Sequence, residues 1–417
     1  MQAVILAAGI SSRFYPYTQY HHKSLIKIFG KPIVLHTLES VRSSGIKEVI
    51  LVVSGDSEIK RIFGNGKNFG VNIQYAVQDK PSGAGDGLLL CEKLIKGDFF
   101  LLNASRIDFS DYKNLMGRKK TEETKAVLLA RKQDNLEKYG VLKVEKDRVL
   151  GLVEKPQKGK EPSSLRLIGI YLFSKDFLKI LKETGRDHYR LEKAIDRLCG
   201  DFLVSFVETQ NEVPSLKYSW DLLEMKNALF KIAKKSIKRS AKIAESAEIA
   251  GNAVIEDGAI VMEGAKIKGP CFIGRNSIIG NNVVLRGGTD IEENCVIGAN
   301  MEIKNSLIMS GTKTHSGYIG DSIVGQNCRI GADFSTANVR LDRGKIKVKV
   351  NEEEVKTGLR RLGVITGNNG RIGIKSSTMP GVIIGNNSLI GPSTVVLKNV
   401  PDSTKYYTKF QEVIEKK

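Results

Sequence analysis

The sequence lacks any run of ~18 consecutive apolar residues, which argues against a membrane-spanning helix. Its N-terminus lacks the basic flank and small-residue cleavage site of an export signal, so a cytoplasmic chain with no membrane partner is expected. Its five cysteines, Cys91, Cys199, Cys271, Cys295 and Cys328, form no C-x-x-C pair. They read as small buried hydrophobes in a reducing compartment, not as a zinc or disulfide framework. Acids are the scarcer charge, 46 Asp and Glu against 65 Lys and Arg, for a formal net charge of +19. Such a field favours anionic ligands without choosing among nucleotides, sugar phosphates, nucleic acid or acidic lipid. A nucleic-acid role would rest on charge alone and is not expected.

With 417 residues the chain is too long for one core, and its two halves follow different periods. Up to residue 224, "AVILAA", "EVILVVS", "NIQYAV" and "FFLLN" read as short buried strands. Between strands, "PIVLHTLESVRSSG" and "GDGLLLCEKLIKG" carry apolar residues at helical spacing. This order predicts an α/β, Rossmann-like, mostly parallel sheet covered on both faces. Ligands bind such sheets beyond the carboxyl ends of the strands, where Gly9 to Arg13 fall. Residues 225–242 hold Lys226, Lys231, Lys234, Lys235, Lys238, Arg239 and Lys242 with no acid, and read as a connecting helix with a basic outer face.

From Ile243 the period becomes six: Ile243, Ile249, Ile255, Val261, Ile267, Ile273, Ile279, Leu285, Ile291, Ile297 and Ile303 are in strict register. Small or turn-forming residues such as Gly274, Asn276, Gly280 and Asn282 stand between them. This hexapeptide pattern predicts a parallel β-helix over 243–401, followed by a tail over 402–417. The register fails after Met309 and returns at Ile372, Ile384, Ile390 and Val396; between them "KIKVKVNEEEV" alternates with period two and reads as a hairpin.

"LAAG", Arg13 and Lys23 resemble the signature of sugar-1-phosphate nucleotidylyltransferases, and "YGVL", "EKP" and the Trp220–Asp221 pair match later motifs of that family in order. With appended hexapeptide repeats, the chain resembles the bifunctional enzymes that join this domain to a left-handed β-helix acting as an amino-sugar-1-phosphate acetyltransferase, the archaeal type most closely. "HSGYIGDS", "TANVRLD", "GLRRLG" and "STMPGVIIG" carry the resemblance through the second half. The resemblance implies two reactions. In the first, a sugar 1-phosphate attacks the α-phosphorus of UTP or dTTP and pyrophosphate leaves, with catalysis by positioning and charge neutralisation. Arg13 would grip the β- and γ-phosphates and Lys23 the charge near the α-phosphate. Leu6, Ala8, Gly9, Gln78, Gly83 and Ala84 would surround the nucleotide. Gly140 and Glu154 would line the substrate site, Lys155 would bind the sugar's phosphate, and Asp221 would ligate Mg²⁺. In the second reaction His315 would serve as the base for acetyl transfer from acetyl-CoA, with Tyr318, Asn338 and Arg361 around the acceptor. A homotrimer is implied.

Four departures from the family pattern stand out. Ser11 replaces a glycine of the phosphate loop, and Ala104 and Ser105 occupy the place of a Gly-Asp pair whose aspartate binds Mg²⁺. Leu167, Ile168 and Gly169 replace Asn-x-Gly, and Val339 and Arg340 follow Asn338 where the family has Tyr-Asp, with Asp342 close by. A neutral hydroxyl is a poor Mg²⁺ ligand, so impaired nucleotidylyl transfer is expected, with Asp108 or Asp86 as the nearest compensating carboxylates. The alternative is a degenerate chain that only binds a nucleotide sugar or serves as a trimeric scaffold.

Overall fold

The computed structural model describes residues 1–17, 22–55, 57–211, 216–411 and 413–415. Two compact units result, one of residues 1–10, 24–26 and 32–213, the other of 11–23, 27–31 and 214–417. The boundary expected at residue 224 therefore differs on two counts. Residues 11–23 and 27–31 group with the second unit, and so does the helix Asp221–Ile232.

The first unit is built on a mixed nine-stranded sheet. Its order is Asn72–Val77, Glu48–Val53, Gln2–Ala7, Phe99–Asn103, Leu165–Phe173, Thr124–Lys132, Leu203–Glu208, Arg148–Glu154, Gly140–Glu145. The first four are the expected strands and run parallel. Glu48–Val53, Gln2–Ala7 and Phe99–Asn103 are buried on both faces, which is why they read as continuous apolar stretches, whereas the edge strand Asn72–Val77 exposes Asn72, Gln74 and Val77. Ile33–Ser43 forms the expected helix. The second expected helix is shorter, Ala84–Leu89. Beyond it Cys91, Glu92 and Leu94 donate to carbonyls three residues back, a tightened turn instead of continued α-helix.

The second unit contains a three-faced parallel β-helix of eight-, nine- and eight-stranded sheets. Successive coils place Ile255 on Ile237, Val261 on Ile243 and Ile267 on Ile249, so each coil takes eighteen residues and every sixth side chain enters one apolar column. The first rung is Ser236–Ile237, not residue 243. The connecting helix accordingly stops at Ile232 instead of running to 242, because Ile237 already belongs to the six-residue register. The coil also continues where the aliphatic register fails. Thr314, Thr366 and Thr378 take the inward positions, and Thr314 and Thr366 accept from the Gly298 and Gly325 N–H groups. A buried hydroxyl with a partner costs little. Val324 pairs with Thr366, and after the rungs Arg329–Ile330 and Phe334–Thr336 the chain leaves the coil, where Lys347–Val350 and Glu353–Lys356 form the expected hairpin. Its two turn residues, Asn351 and Glu352, have φ of 48° and 67°.

The N-terminal segments of this unit are fastened to the coils. Tyr17 Oη donates to the Thr366 carbonyl at 2.8 Å, and the N–H groups of Phe29 and Gly30 donate to Asp290 and Glu292 at 3.1 and 3.0 Å. Phe29 packs at 4.5 Å from the Phe230 ring and 5.0 Å from Phe272. No helix among the described residues is long and apolar enough to cross a membrane.

Candidate active sites

In the first unit the expected nucleotide residues gather at the carboxyl ends of the parallel strands. Leu6 lies in the strand Gln2–Ala7, and Ala8 and Gly9 follow it. Gln78 follows Asn72–Val77, donating its backbone N–H to Val53 and its side-chain amide to the Gly83 carbonyl at 3.0 Å. Gly83 caps the helix that begins at Ala84, with φ of 116°. A Cβ there would stand 2.7 Å from the His188 carbonyl oxygen, so the chain needs glycine at this turn.

The sugar-side residues share one end of the sheet. Gly140 pairs with Glu154 across adjacent strands. Lys155 adopts φ of 50°, donates its N–H to the Tyr139 carbonyl and places Nζ 2.5 Å from Tyr189 Oη. Two residues missed from the sequence join them. Glu192, in the first turn of the helix Arg190–Asp201, has its carboxyl pushed up by burial and by the Glu154 charge. Asn103 sets its amide against Gly169, beside the place where the family's own amide is lost. Only the amphipathic spacing of 190–201 could have pointed to Glu192.

Arg13, Lys23 and Asp221 lie in the second unit. Arg13 approaches the Tyr218 ring at 5.8 Å, and Tyr218 stacks on Trp220 at 4.5 Å. Lys23 donates to the Leu216 carbonyl at 2.8 Å. Burial lowers its pKa to about 8, opposed by Asp221 and reinforced by Arg13. Asp221 Oδ2 accepts from the Lys217 and Tyr218 N–H groups at 2.6 and 2.8 Å, yet burial raises its pKa to about 6.

Among the candidate ligands, neither unit by itself offers a divalent cation a good donor. Ser105 supplies a neutral hydroxyl, and the Asp221 oxygen is already engaged by two N–H groups. The compensating carboxylates are committed elsewhere, Asp108 to Arg106 and Asp86 to Arg190 at 2.8 Å. No group of three or more His, Cys, Asp or Glu suited to a metal occurs among the described residues.

In the β-helix, His315 follows the rung Lys313–Thr314 and is exposed, its N–H donating to the Ile330 carbonyl. Together with Lys313, Arg329 and Arg371 it lines a groove of about 600 Å³. These three stack on successive coils, each one residue before an inward position, Thr314, Ile330 and Ile372. The register could have shown this column of cations once Thr314 was admitted as inward. Around the corner, Gly317–Gly320 begins the next face. Gly317 has φ of 127°, and a Cβ would fall 2.0 Å from the Phe334 carbonyl oxygen, so the bend after His315 requires glycine. Tyr318 lies beyond the bend, and its hydroxyl accepts from the Asn338 amide at 3.3 Å. Arg361 is exposed, one residue before Leu362, whose N–H donates to the Asn338 carbonyl. Arg340 forks onto Asp342 at 2.9 and 2.7 Å.

The family model described as nucleotidyl transferase matches residues 2–237, that of the GMPPB C-terminal domain residues 267–358, and that of the hexapeptide repeat of succinyl-transferase residues 363–398. The "Bifunctional protein GlmU" of Methanococcus vannielii is 33% identical over the whole of both chains. The "Bifunctional sugar-1-phosphate nucleotidylyltransferase/acetyltransferase" of Sulfurisphaera tokodaii is 31% identical over 96% of this chain and 98% of its own. A crystal structure of a putative glucose-1-phosphate thymidylyltransferase from Bacillus anthracis superimposes with a TM-score of 0.50 at 24% identity, covering 55% of this chain and 94% of that one. That likeness is one of fold.

Proposed function

The chain belongs to the family of bifunctional GlmU proteins, and from that premise we propose that its β-helix transfers an acetyl group from acetyl-CoA to the amine of an amino-sugar 1-phosphate. The observation that carries this reading is His315 lining one groove with Lys313, Arg329 and Arg371. Three stacked cations suit the phosphates of a CoA chain laid along the coils. The acceptor nitrogen attacks the thioester carbonyl carbon, the C–S bond breaks, and CoA leaves as the thiol. His315 takes the proton the amine sheds, so that the free amine and not the ammonium attacks. Tyr318 and Asn338 hold the acceptor, and Arg361 its phosphate.

In the nucleotidylyl half, a sugar 1-phosphate oxygen attacks the α-phosphorus of a nucleoside triphosphate, UTP or dTTP, and pyrophosphate departs. Gln78 and the turn at Gly83 favour the base and ribose, Lys155 the sugar's phosphate, and Arg13 and Lys23 offset phosphate charge. Because the metal ligands are deficient, this half is proposed to turn over slowly. Three copies of the chain are proposed to assemble through the β-helix.

The test is acetyl transfer to glucosamine and galactosamine 1-phosphates. Removing a positioned base costs ~10²–10⁴-fold, so His315→Ala should lose kcat by that order while the Kd for acetyl-CoA holds. Wild-type protein that acetylates neither amine would mean that the β-helix is not this transferase, and His315→Ala at full rate would mean that His315 is not its base.

A further inference from the structure

The acceptor-side amide of Asn338 has a neighbour whose role follows from hydrogen-bond polarity. Lys226, expected on an outer basic face, is instead fully buried. Its ammonium has three donors and no acceptor. It donates to the Gly288 carbonyl, to Asn227 Oδ1 at 2.9 Å and to Asn305 Oδ1 at 3.1 Å. Asn227 Nδ2 donates to the same Asn305 oxygen at 3.2 Å. Two donors on Oδ1 fix which way the Asn305 amide points, because its NH₂ must then face the other side. There Asn305 Nδ2 donates to Asp321 Oδ1 at 2.7 Å.

Asp321 is the complement of Lys226. A carboxylate only accepts. It is 2% exposed, and its second oxygen receives the Asn338 Nδ2 group. The same Nδ2 lies 3.3 Å from Tyr318 Oη. With its NH₂ spent on Asp321 and Tyr318, Asn338 is left with only its carbonyl oxygen to offer. An obligate donor at one end and an obligate acceptor near the other therefore orient two amides in series.

We propose that Asp321, held by Asn305 and Lys226, is a positioning residue that fixes the Asn338 amide so that its oxygen, not its NH₂, faces the acetyl acceptor. An amide oxygen accepts from the N–H groups of an amine or the hydroxyls of the sugar, and repels a group that only accepts. The chain from Lys226 to Asn338 thus selects an acceptor rich in donors at that point. The inference rests on the acetyltransferase reading above.

A double-mutant cycle separates the two. Losing one hydrogen bond to the acceptor is worth about tenfold in kcat/KM. Asn338→Ala and Asp321→Ala should each lower kcat/KM for the amino-sugar 1-phosphate by about that factor and leave KM for acetyl-CoA unchanged. In the Asn338→Ala background, Asp321→Ala should cost nothing further, since Asp321, whose second oxygen also lies 3.9 Å from Lys304 Nζ, reaches the acceptor through that amide. Asp321→Asn keeps the size of the side chain and serves if the alanine variant does not fold. It retains one accepting oxygen for two amides, so its loss should be intermediate and should likewise vanish on Asn338→Ala. Additive losses, in either series, overturn the positioning role while wild-type turnover keeps the acetyltransferase reading intact. Wild-type protein that acetylates no amine overturns both.

Discussion

At the scale of single residues, Ser105 decides the most. It sits at the carboxyl end of the strand Phe99–Asn103, one residue past Ala104, whose N–H donates to the Leu6 carbonyl. As a proposed metal ligand its chemistry is weak, because a hard dication binds anionic oxygen far better than a hydroxyl. Arginines hold the two carboxylates that could compensate, Asp108 and Asp86. Ser105→Asp should therefore raise pyrophosphate release from UTP or dTTP with a sugar 1-phosphate by at least about tenfold at fixed Mg²⁺. A wild-type rate that Ser105→Asp does not raise would refute the assignment of this position. Arg13, Lys155 and His315 were legible as residues, since motif order carries them. Glu192 and Asp321 were not, because an acid in a helix or at a coil corner has no signature until a neighbour's charge or amide is placed beside it.

At the scale of elements, periodicity was the reliable signal and its interruptions were not. Eleven aliphatic residues six apart announce the column they form, while Thr314, Thr366 and Thr378 hide the same inward position behind a polar side chain. The helix Asp221–Ile232 shows the opposite failure. Lysine spacing implied a solvated face, yet Lys226 has carbonyl and amide oxygens to bury against. Segment 27–31 was invisible as a docking element, because nothing in the sequence pairs the Phe29 ring, the Lys27 ammonium and two backbone N–H donors with the distant groups that hold them. Their acceptors carry a pH dependence. Burial, with the Asp290 charge adding to it, holds the Glu292 carboxyl well above its ordinary value of 4.5. The folded chain then binds a proton that the unfolded chain has released, so this group's contribution is full below about 4.5 and is lost as pH rises toward the folded value. Glu292→Gln keeps an oxygen for the Gly30 N–H, 3.0 Å away in the wild type, and removes the titration. In thermal melts, the variant's Tm relative to wild type should rise between pH 5 and pH 8. A constant difference across that range would show that Glu292 does not titrate there.

At the scale of the whole molecule, charge and exposed apolar surface oppose each other. A net charge of +19 on each chain resists self-association. Against it, the last coils and the tail expose Ile374, Met379, Leu389, Val395, Leu397, Tyr407 and Phe410. In the proposed trimer these apolar residues are the surface to be covered. Copies of the same chain fit, since a β-helix presents the same flat parallel faces on every protomer and a three-fold assembly closes them without an open edge. Light scattering at micromolar concentration should give a trimer. Because the opposing force is like-charge repulsion over distances near the Debye length of about 8 Å at physiological salt, raising salt from 50 to 500 mM should tighten assembly. Leu397→Lys together with Phe410→Lys should loosen it and, at low protein concentration, leave monomers. A monomer in the wild type at every salt concentration, or a trimer that salt dissociates, would place the driving force elsewhere.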